Sequence, residues 1–383
     1  MVLFGLSTIV WVLLVFGVGE LVLRQRAHDR RAAPWYGFHP VRGWALEPGE
    51  YTRYDINQSH VTHLSINALG MRNPQISLKV PPGRRRISVL GDSFVFAAAL
   101  NEPETVVGQL RSALGPDCEV VNLGVENYGT GQEILFAEDL ASRGFDLGDE
   151  IVLVFFTNDI LDNVGLSYGT GQRLPARPAF SVDSAGTLHH TAPVRPPGNP
   201  WQAKLTRTSL FYRFLRTRAA NLATAHPRIL DGMERLGLRV DLPRTPGVVD
   251  GFFGPGWSQR WKTSADLLAY LARESRERFH ARLLVVYMPS PFQVVGALEG
   301  IARQQARADS VYAAFTGDMD RPQRMLRGVC TRCGVPFVDA TPALREAARR
   351  ESPYFMFEGH LNPGGSQVAA TVIREGLETP VGR

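Results

Sequence analysis

The sequence predicts an α/β protein: a three-layer α/β/α fold on one parallel sheet, with one transmembrane helix ahead of it. Three observations predict this. From Arg84 to Glu378, apolar runs of strand length alternate with helical segments, and continuously apolar strands are those buried on both faces of a parallel sheet. Residues 2–23 form an almost uninterrupted apolar stretch whose only charge is Glu20, long enough as a helix to span about 30 Å of hydrocarbon. The composition, 44% hydrophobic and 21% charged over 383 residues, excludes a wholly disordered chain and a polytopic membrane protein.

The stretch at 2–23 has no basic segment before it and no small-x-small cleavage site just after it, so residues 1–24 read as a retained anchor rather than a signal peptide. Arg24, Arg26, Arg30 and Arg31 follow at once, and the positive-inside tendency would hold that side in the cytoplasm. Residues 25–83 are rich in turn formers (Pro34, Gly37, Pro40, Gly43, Pro48, Gly49, Asn67, Gly70) separated by short β-type runs, which predicts a small extended or β lead-in subdomain. The main domain occupies 84–380. Its predicted strands are 87–90, 119–123, 151–156, 282–288 and 336–339. Its predicted helices are 104–114, 132–142, 261–279, one ending near Gly328, 343–350 and 364–378. Between about 165 and 260 the pattern lapses into Pro/Gly/Arg-rich sequence with one helix near 205–223, an insertion or cap, since a structureless loop of that length is improbable in a compact domain.

The net charge of +5, from 42 Lys and Arg against 37 Asp and Glu, is mild, and only Lys79, Lys204 and Lys262 are lysine. No basic block interleaved with aromatics occurs, so nucleic acid is not a predicted partner. With no Walker loop and no Gly-x-Gly-x-x-Gly, no nucleotide cofactor is indicated. Three cysteines cannot build a disulfide scaffold. Cys330 and Cys333 are two free thiols or a local disulfide rather than a zinc site, and Cys118 lies far away in sequence. His189 and His190 read as solvated surface, in a polar loop without partner carboxylates at metal spacing.

Ligands of open parallel sheets bind at the carboxyl ends of strands. After 87–90 comes Gly91-Asp92-Ser93-Phe94; after 119–123 comes Gly124-Val-Glu-Asn127-Tyr-Gly129; after 151–156 comes Thr157-Asn158-Asp159; and after 354–357 comes Glu358-Gly359-His360-Leu-Asn362-Pro363. Each part fits acyl transfer. Serine needs an imidazole to take its proton, and the imidazole needs a carboxylate on its other nitrogen. His360 with Glu358 two residues upstream supplies both. The oxyanion needs preorganised donors: the Ser93 amide, an amide of the second loop and the Asn158 side chain. Gly165-Leu-Ser167-Tyr-Gly169 matches a nucleophile-elbow pattern, but the following Thr-Gly-Gln-Arg-Leu-Pro cannot start the helix that motif requires.

These blocks, in order, resemble the SGNH hydrolase superfamily, the GDSL-type esterases: Gly91-Asp92-Ser93, the loop from Val121-Asn122 to Asn127-Tyr-Gly129, Asn158-Asp159, and His360 before Asn362-Pro363. The resemblance covers about Arg84 to Glu378. It extends upstream, where Gly43-Trp44…Pro48-Gly49 and Ile66-Asn67-Ala-Leu-Gly70-Met-Arg72 look like the lead-in of membrane-anchored bacterial members. It implies a flavodoxin-like fold, with Ser93 as nucleophile, His360 as general base and acid, Glu358 as its orienter, and Ser93, Asn127 and Asn158 as oxyanion donors, without cofactor or metal. Asn127 stands where the family usually has glycine, leaving Gly124 as the fallback donor. Thr157 also replaces a glycine. The usual Asp-x-x-His becomes Glu358-x-His360, with Asp339 as the alternative orienter.

The plainer readings are that Ser93 is only a helix cap, that Asn158 and Asp159 only close a strand, and that His360 only caps the approach to the last helix. The resemblance implies an O-acyl, above all O-acetyl, ester on a cell-envelope or exported polysaccharide, with the catalytic body extracytoplasmic. Two alternatives remain at this stage: an O-acetyltransferase using the same triad, and a non-catalytic carbohydrate-binding or scaffold protein of an envelope assembly.

Overall fold

A computed structural model describes residues 11, 13–22, 35–54, 61–166, 176–195, 201, 204–205, 208–209, 211–212, 215, 256–295, 319–355 and 359–379. The chain divides into two compact units: residues 34–195 with 245–383, and residues 1–33 with 196–244.

The larger unit opens with two antiparallel hairpins, β1 (Tyr36–His39) with β2 (Gly43–Leu46), and β3 (Gly49–Tyr54) with β4 (Val61–Ile66). Along β4 the burial alternates strictly, with Thr62, Leu64 and Ile66 turned inward, the period of two that a half-buried strand requires. Gly43 begins β2 at φ +86°, and a Cβ there would lie 2.0 Å from the Ala176 carbonyl oxygen, so only glycine fits.

The sheet then forms in alternation. β5 (Arg85–Gly91) leads to the short α1 (Ser93–Phe96) and to α2 (Val106–Leu114). β6 (Cys118–Gly124) leads to α3 (Thr130–Ser142), and β7 (Glu150–Phe155) to α4 (Asp159–Asp162). A small hairpin, β8 (Phe180–Val182) with β9 (Leu188–His190), precedes the long α5 (Trp257–Glu277). β10 (Arg282–Tyr287), α6 (Pro291–Val294), α7 (Arg321–Cys333), β11 (Phe337–Asp339), α8 (Thr341–Ala348) and α9 (Pro363–Glu378) complete the unit. The five sheet strands are parallel and lie in the order β11-β10-β7-β5-β6. Numbered within the sheet this is 2-1-3-4-5, which puts the switch point of the topology between β5 and β7.

Why these runs became central strands is visible in β7, all six of whose residues are buried. Ile151, Leu153 and Phe155 enter one core with α3, α5 and α7, while Val152 and Val154 enter the other with α1, α2 and α9. β10 repeats the alternation through Leu283, Val285 and Tyr287 against Leu284 and Val286. Each such side chain contributes about 1.5–3 kcal/mol by leaving water, and only a sheet covered on both faces collects it from consecutive residues.

Several boundaries differ from expectation for local reasons. The helix expected at 104–114 divides into a 3₁₀ turn, Glu102–Glu104, and α2, whose cap Thr105 accepts the Gly108 amide at 3.0 Å. α5 starts at Trp257 rather than 261, because Trp257 and Trp261 stack one helical turn apart at 6.0 Å and bury together. An insertion or cap is expected at about 165–260. Residues 176–195 carry the β8–β9 hairpin, whose Phe180 ring fills the space beside Gly131 of α3, whereas 196–244 belong to the smaller unit. Ser167 and Gly169 of the elbow-like pattern lie outside the described residues.

In the smaller unit, residues 13–22 are helical. The Phe16 and Phe211 rings meet edge to face at 5.0 Å. Glu20, the one charge in the apolar stretch, accepts hydrogen bonds from the Ser209 hydroxyl (2.8 Å) and the Phe211 amide (3.0 Å). The predicted transmembrane helix at 2–23 is described only at 11 and 13–22. Among the described residues no helix is long and apolar enough to cross a membrane. Most of the helix expected at 205–223 also lies outside the described residues.

His189 and His190 are exposed, and His189 Nε2 lies 2.8 Å from Asp183 Oδ2 on the short β8–β9 hairpin. Cys330 and Cys333, three apart on α7, are both free thiols.

Candidate active site

Three of the four segments singled out in the sequence leave the sheet at its carboxyl edge, after β5, β6 and β7 on both sides of the switch point, and the fourth, which carries His360, lies between α8 and α9. β5 ends at Gly91, and Asp92 caps α1 by accepting the Phe94 amide at 2.9 Å. The cap is therefore Asp92, and Ser93 is the first residue of the helix rather than its cap. Its amide, one of the orphan donors of a helix start, has no partner among the described residues.

His360 is held by a tight loop. The Tyr354–Leu361 bridge closes it, the Phe355 amide donates to the His360 carbonyl at 2.8 Å, and Gly359 takes the turn at φ +72°. The Tyr354 hydroxyl, buried, donates to the Pro289 carbonyl at 2.9 Å and ties the loop to the end of β10. Asn362 caps α9 by accepting the Gly365 amide, and it donates to the Ser352 carbonyl, so the final helix is capped without His360. The imidazole Nε2 stands 2.9 Å from Ser93 Oγ across 267 residues of sequence. The Phe94 ring, 5.2 Å away centre to centre, flanks it. Glu358 lies outside the described residues. Asp339, the alternative orienter, ends β11 and accepts the Thr341 amide at 2.9 Å, a cap for α8.

The second loop leaves β6 through Asn122. Its side chain donates to the Val95 carbonyl in α1 and accepts the Gly124 amide, both at 2.9 Å. That bond removes Gly124 as fallback donor, because its N–H is engaged. Gly124 is glycine for another reason: a Cβ there would lie 2.4 Å from the Phe96 nitrogen, so its absence lets α1 lie against β6. Asn127 is exposed at φ +60°, a left-handed conformation that asparagine adopts more readily than most residues. Its amide has no partner among the described residues.

Asn158 follows β7 and is nearly buried. Its Nδ2 donates to Asp92 Oδ2 at 2.9 Å, and its Oδ1 has no partner among the described residues. An amide nitrogen carries two hydrogens, so one is held by Asp92 and the second remains for a ligand. Thr157, in place of a glycine, is fully buried.

Beneath these groups lies a set of buried carboxyls that the sequence did not announce. Glu133 of α3 is fully buried, and neither of its carboxyl oxygens has a partner among the described residues. Asp159 accepts the Thr130 hydroxyl at 3.2 Å, and Asp162 lies 2.5 Å from the Arg177 guanidinium, both side chains being buried. Burial pushes the pKa of Glu133 and of Asp159 well above the carboxylate range, and the neighbouring acids push it further. Asp92 is pushed up to about 6 by burial, against hydrogen bonds from the Phe94 amide and Asn158. A glutamate one turn into an amphipathic helix reads as solvent-facing. Only the burial of both faces of the first turn of α3, by the lead-in hairpins and α4, reverses that.

No protein-family model matches the chain, and no curated protein matches it in sequence. By structure the chain is similar to a catalytic mutant of Axe2, an acetylxylan esterase from Geobacillus stearothermophilus, at 12% identity, covering 79% of this chain and 99% of that one with a TM-score of 0.38. It is similar to LAE5, an α/β hydrolase enzyme from the metagenome of Lake Arreo, Spain, at 14% identity, covering 78% and 96% with a TM-score of 0.38. It is also similar to TesA at 12% identity, covering 77% and 98% with a TM-score of 0.37.

Proposed function

We propose that this chain is a serine esterase of the SGNH type that hydrolyses an O-acyl ester. The observation that carries this reading is the hydrogen bond between His360 Nε2 and Ser93 Oγ; the Ser93 and Asn127 amides have no partner among the described residues. In the first half-reaction Ser93 Oγ attacks the ester carbonyl carbon as its proton passes to His360 Nε2. The amides of Ser93 and Asn127 and the second Nδ2 hydrogen of Asn158 receive the oxyanion. The tetrahedral intermediate expels the alcohol, which takes the proton from His360. Water, deprotonated by the same imidazole, then releases the acid and restores Ser93. Glu358 is assigned as the acceptor for the second imidazole nitrogen.

The substrate assigned on the resemblance is an O-acetyl ester of a cell-envelope or exported polysaccharide. The apolar stretch at 2–23 would anchor the protein in a membrane, with the catalytic unit on the extracytoplasmic side. The test is direct. A fluorophosphonate should label the full chain at Ser93, and Ser93→Ala should lose both labelling and p-nitrophenyl acetate hydrolysis. Full esterase activity in Ser93→Ala would remove the nucleophile assignment.

A further inference from the structure

Three side chains of the lead-in subdomain, distant in sequence from the four motif blocks, reach the two loops that carry Ser93 and Asn127. Arg72 is 1% exposed, and its guanidinium donates to three backbone carbonyls: Phe96 and Ala97 from Nη1, and Leu100 from Nη2. These carbonyls belong to the end of α1 and the turn after it, where Ala97 sits in the left-handed region at φ +54°. Burial lowers the pKa of Arg72 to about 10, with Glu102 and Glu126 opposing the fall, so the group is a cation at neutral pH. Helix C-termini carry unpaired carbonyls and favour positive charge. A helix of four residues has too few internal bonds to fix itself, so this fork supplies what α1 lacks.

The second loop is held in the same manner. Trp35 Nε1 donates to the Glu126 carboxylate and Trp44 Nε1 to the Glu126 carbonyl, each at 3.0 Å. Glu126 immediately precedes Asn127. Tyr128, immediately after it, donates its hydroxyl to the Trp44 carbonyl. The two clamps meet, since the Trp35 ring stacks on Phe96, the last residue of α1, at 6.1 Å and 28°, and the Arg72 guanidinium lies 5.5 Å from the centre of the same ring. A structural strut could attach anywhere on the sheet edge. These three polar groups end on the residues flanking the nucleophile helix and the oxyanion loop.

We propose that Arg72, Trp35 and Trp44 are positioning residues of the esterase site, Arg72 fixing the helix that carries Ser93 and the indoles fixing the loop that carries Asn127. The proposal rests on the reading of Ser93 as nucleophile. Displacement of a reacting group by about 1 Å can cost on the order of 100-fold in rate, and a clamp of this kind acts on rate rather than on substrate affinity.

The experiment uses the full chain as wild type, Trp35→Phe, Arg72→Lys and Arg72→Met, with p-nitrophenyl acetate kinetics, the rate of fluorophosphonate labelling and a thermal unfolding midpoint for each. Trp35→Phe keeps a six-membered ring to pack near Phe96 while it removes the indole N–H and part of the ring area, so it serves even if the Arg72 variants do not fold. The expected result is a folded Trp35→Phe protein whose kcat and labelling rate fall about 10- to 100-fold while KM stays within about twofold. Arg72→Lys, one point donor in place of a fork to three carbonyls, should lose as much or more. A folded Trp35→Phe protein with wild-type kcat and labelling overturns the proposal whatever the Arg72 variants do, as does a change confined to KM. Failure of the wild type itself to label, beside a serine hydrolase that does, removes the esterase reading and this proposal with it.

Discussion

Asp92→Asn separates two roles that one carboxyl holds in this site. Asp92 caps α1 through one oxygen and holds Asn158 Nδ2 through the other, and burial pushes its pKa from 3.8 up to about 6. The folded state thus keeps this proton over a pH range in which the unfolded chain has lost it. Stability contributed by the protonated form is fully present below about pH 4 and is lost as pH rises to about 6. A displacement of about two units corresponds to about 3 kcal/mol, the amount by which the variant should gain on the wild type at pH 7.

Catalysis should move the other way. The new amide nitrogen would face Asn158 Nδ2, donor against donor. Asn158 relieves this by turning its unpartnered Oδ1 toward residue 92, which carries its NH₂ group away from the oxyanion. Loss of one such donor lowers kcat about 10²- to 10³-fold. Urea unfolding at pH 4, 5, 6 and 7, with kcat for p-nitrophenyl acetate at pH 7.5, reads both effects. A variant that keeps wild-type kcat, or whose stability falls between pH 4 and 6 as steeply as that of the wild type, refutes the reasoning.

Glu133→Gln should flatten the decline of the thermal midpoint between pH 5 and 8, because the folded state holds the Glu133 proton to a pH well above the ordinary glutamate value and so loses stability as pH rises; parallel pH curves for the two proteins would count against this. Asn127→Gly should keep kcat within about threefold, since the proposed donor is a backbone amide at φ +60° that glycine adopts freely. Asn127→Val, β-branched in a left-handed position, should lose activity; equal activity in the two variants would mean that the loop conformation does not matter.

The five strands were legible because their apolar runs are local: 151–156 can only be satisfied inside a sheet covered twice. Ser93, Asn127 and Asn158 could be singled out because each follows such a run, and His360 because it stands just before the Asn362-Pro363 start of the last helix. Gly124 was misjudged as a spare donor because its engagement depends on Asn122 folding back two residues to accept its amide, which spacing does not reveal. Asp92 was read only as part of a motif, although an acid before a short helix is a cap signal that could have been used. The clamp of Trp35, Trp44 and Arg72 was not legible at all. The indoles reach Glu126 across 91 and 82 residues, and an arginine in a turn-rich segment reads as solvated. The buried carboxyls escaped for the same reason, since Glu133 is brought beside Asp92 and Asp162 by tertiary packing and not by sequence period.

The sequence separation of 267 between Ser93 and His360 also orders events in time. At about 5–20 residues per second of synthesis, roughly 13–50 s pass between the appearance of the nucleophile and that of its base. The interval includes the crossing into residues 196–244 and back, which belong with the N-terminal segment. A nascent chain on the ribosome therefore carries an exposed serine with no proton acceptor. By the proposed chemistry it becomes an esterase only when α9, which His360 immediately precedes, closes the unit.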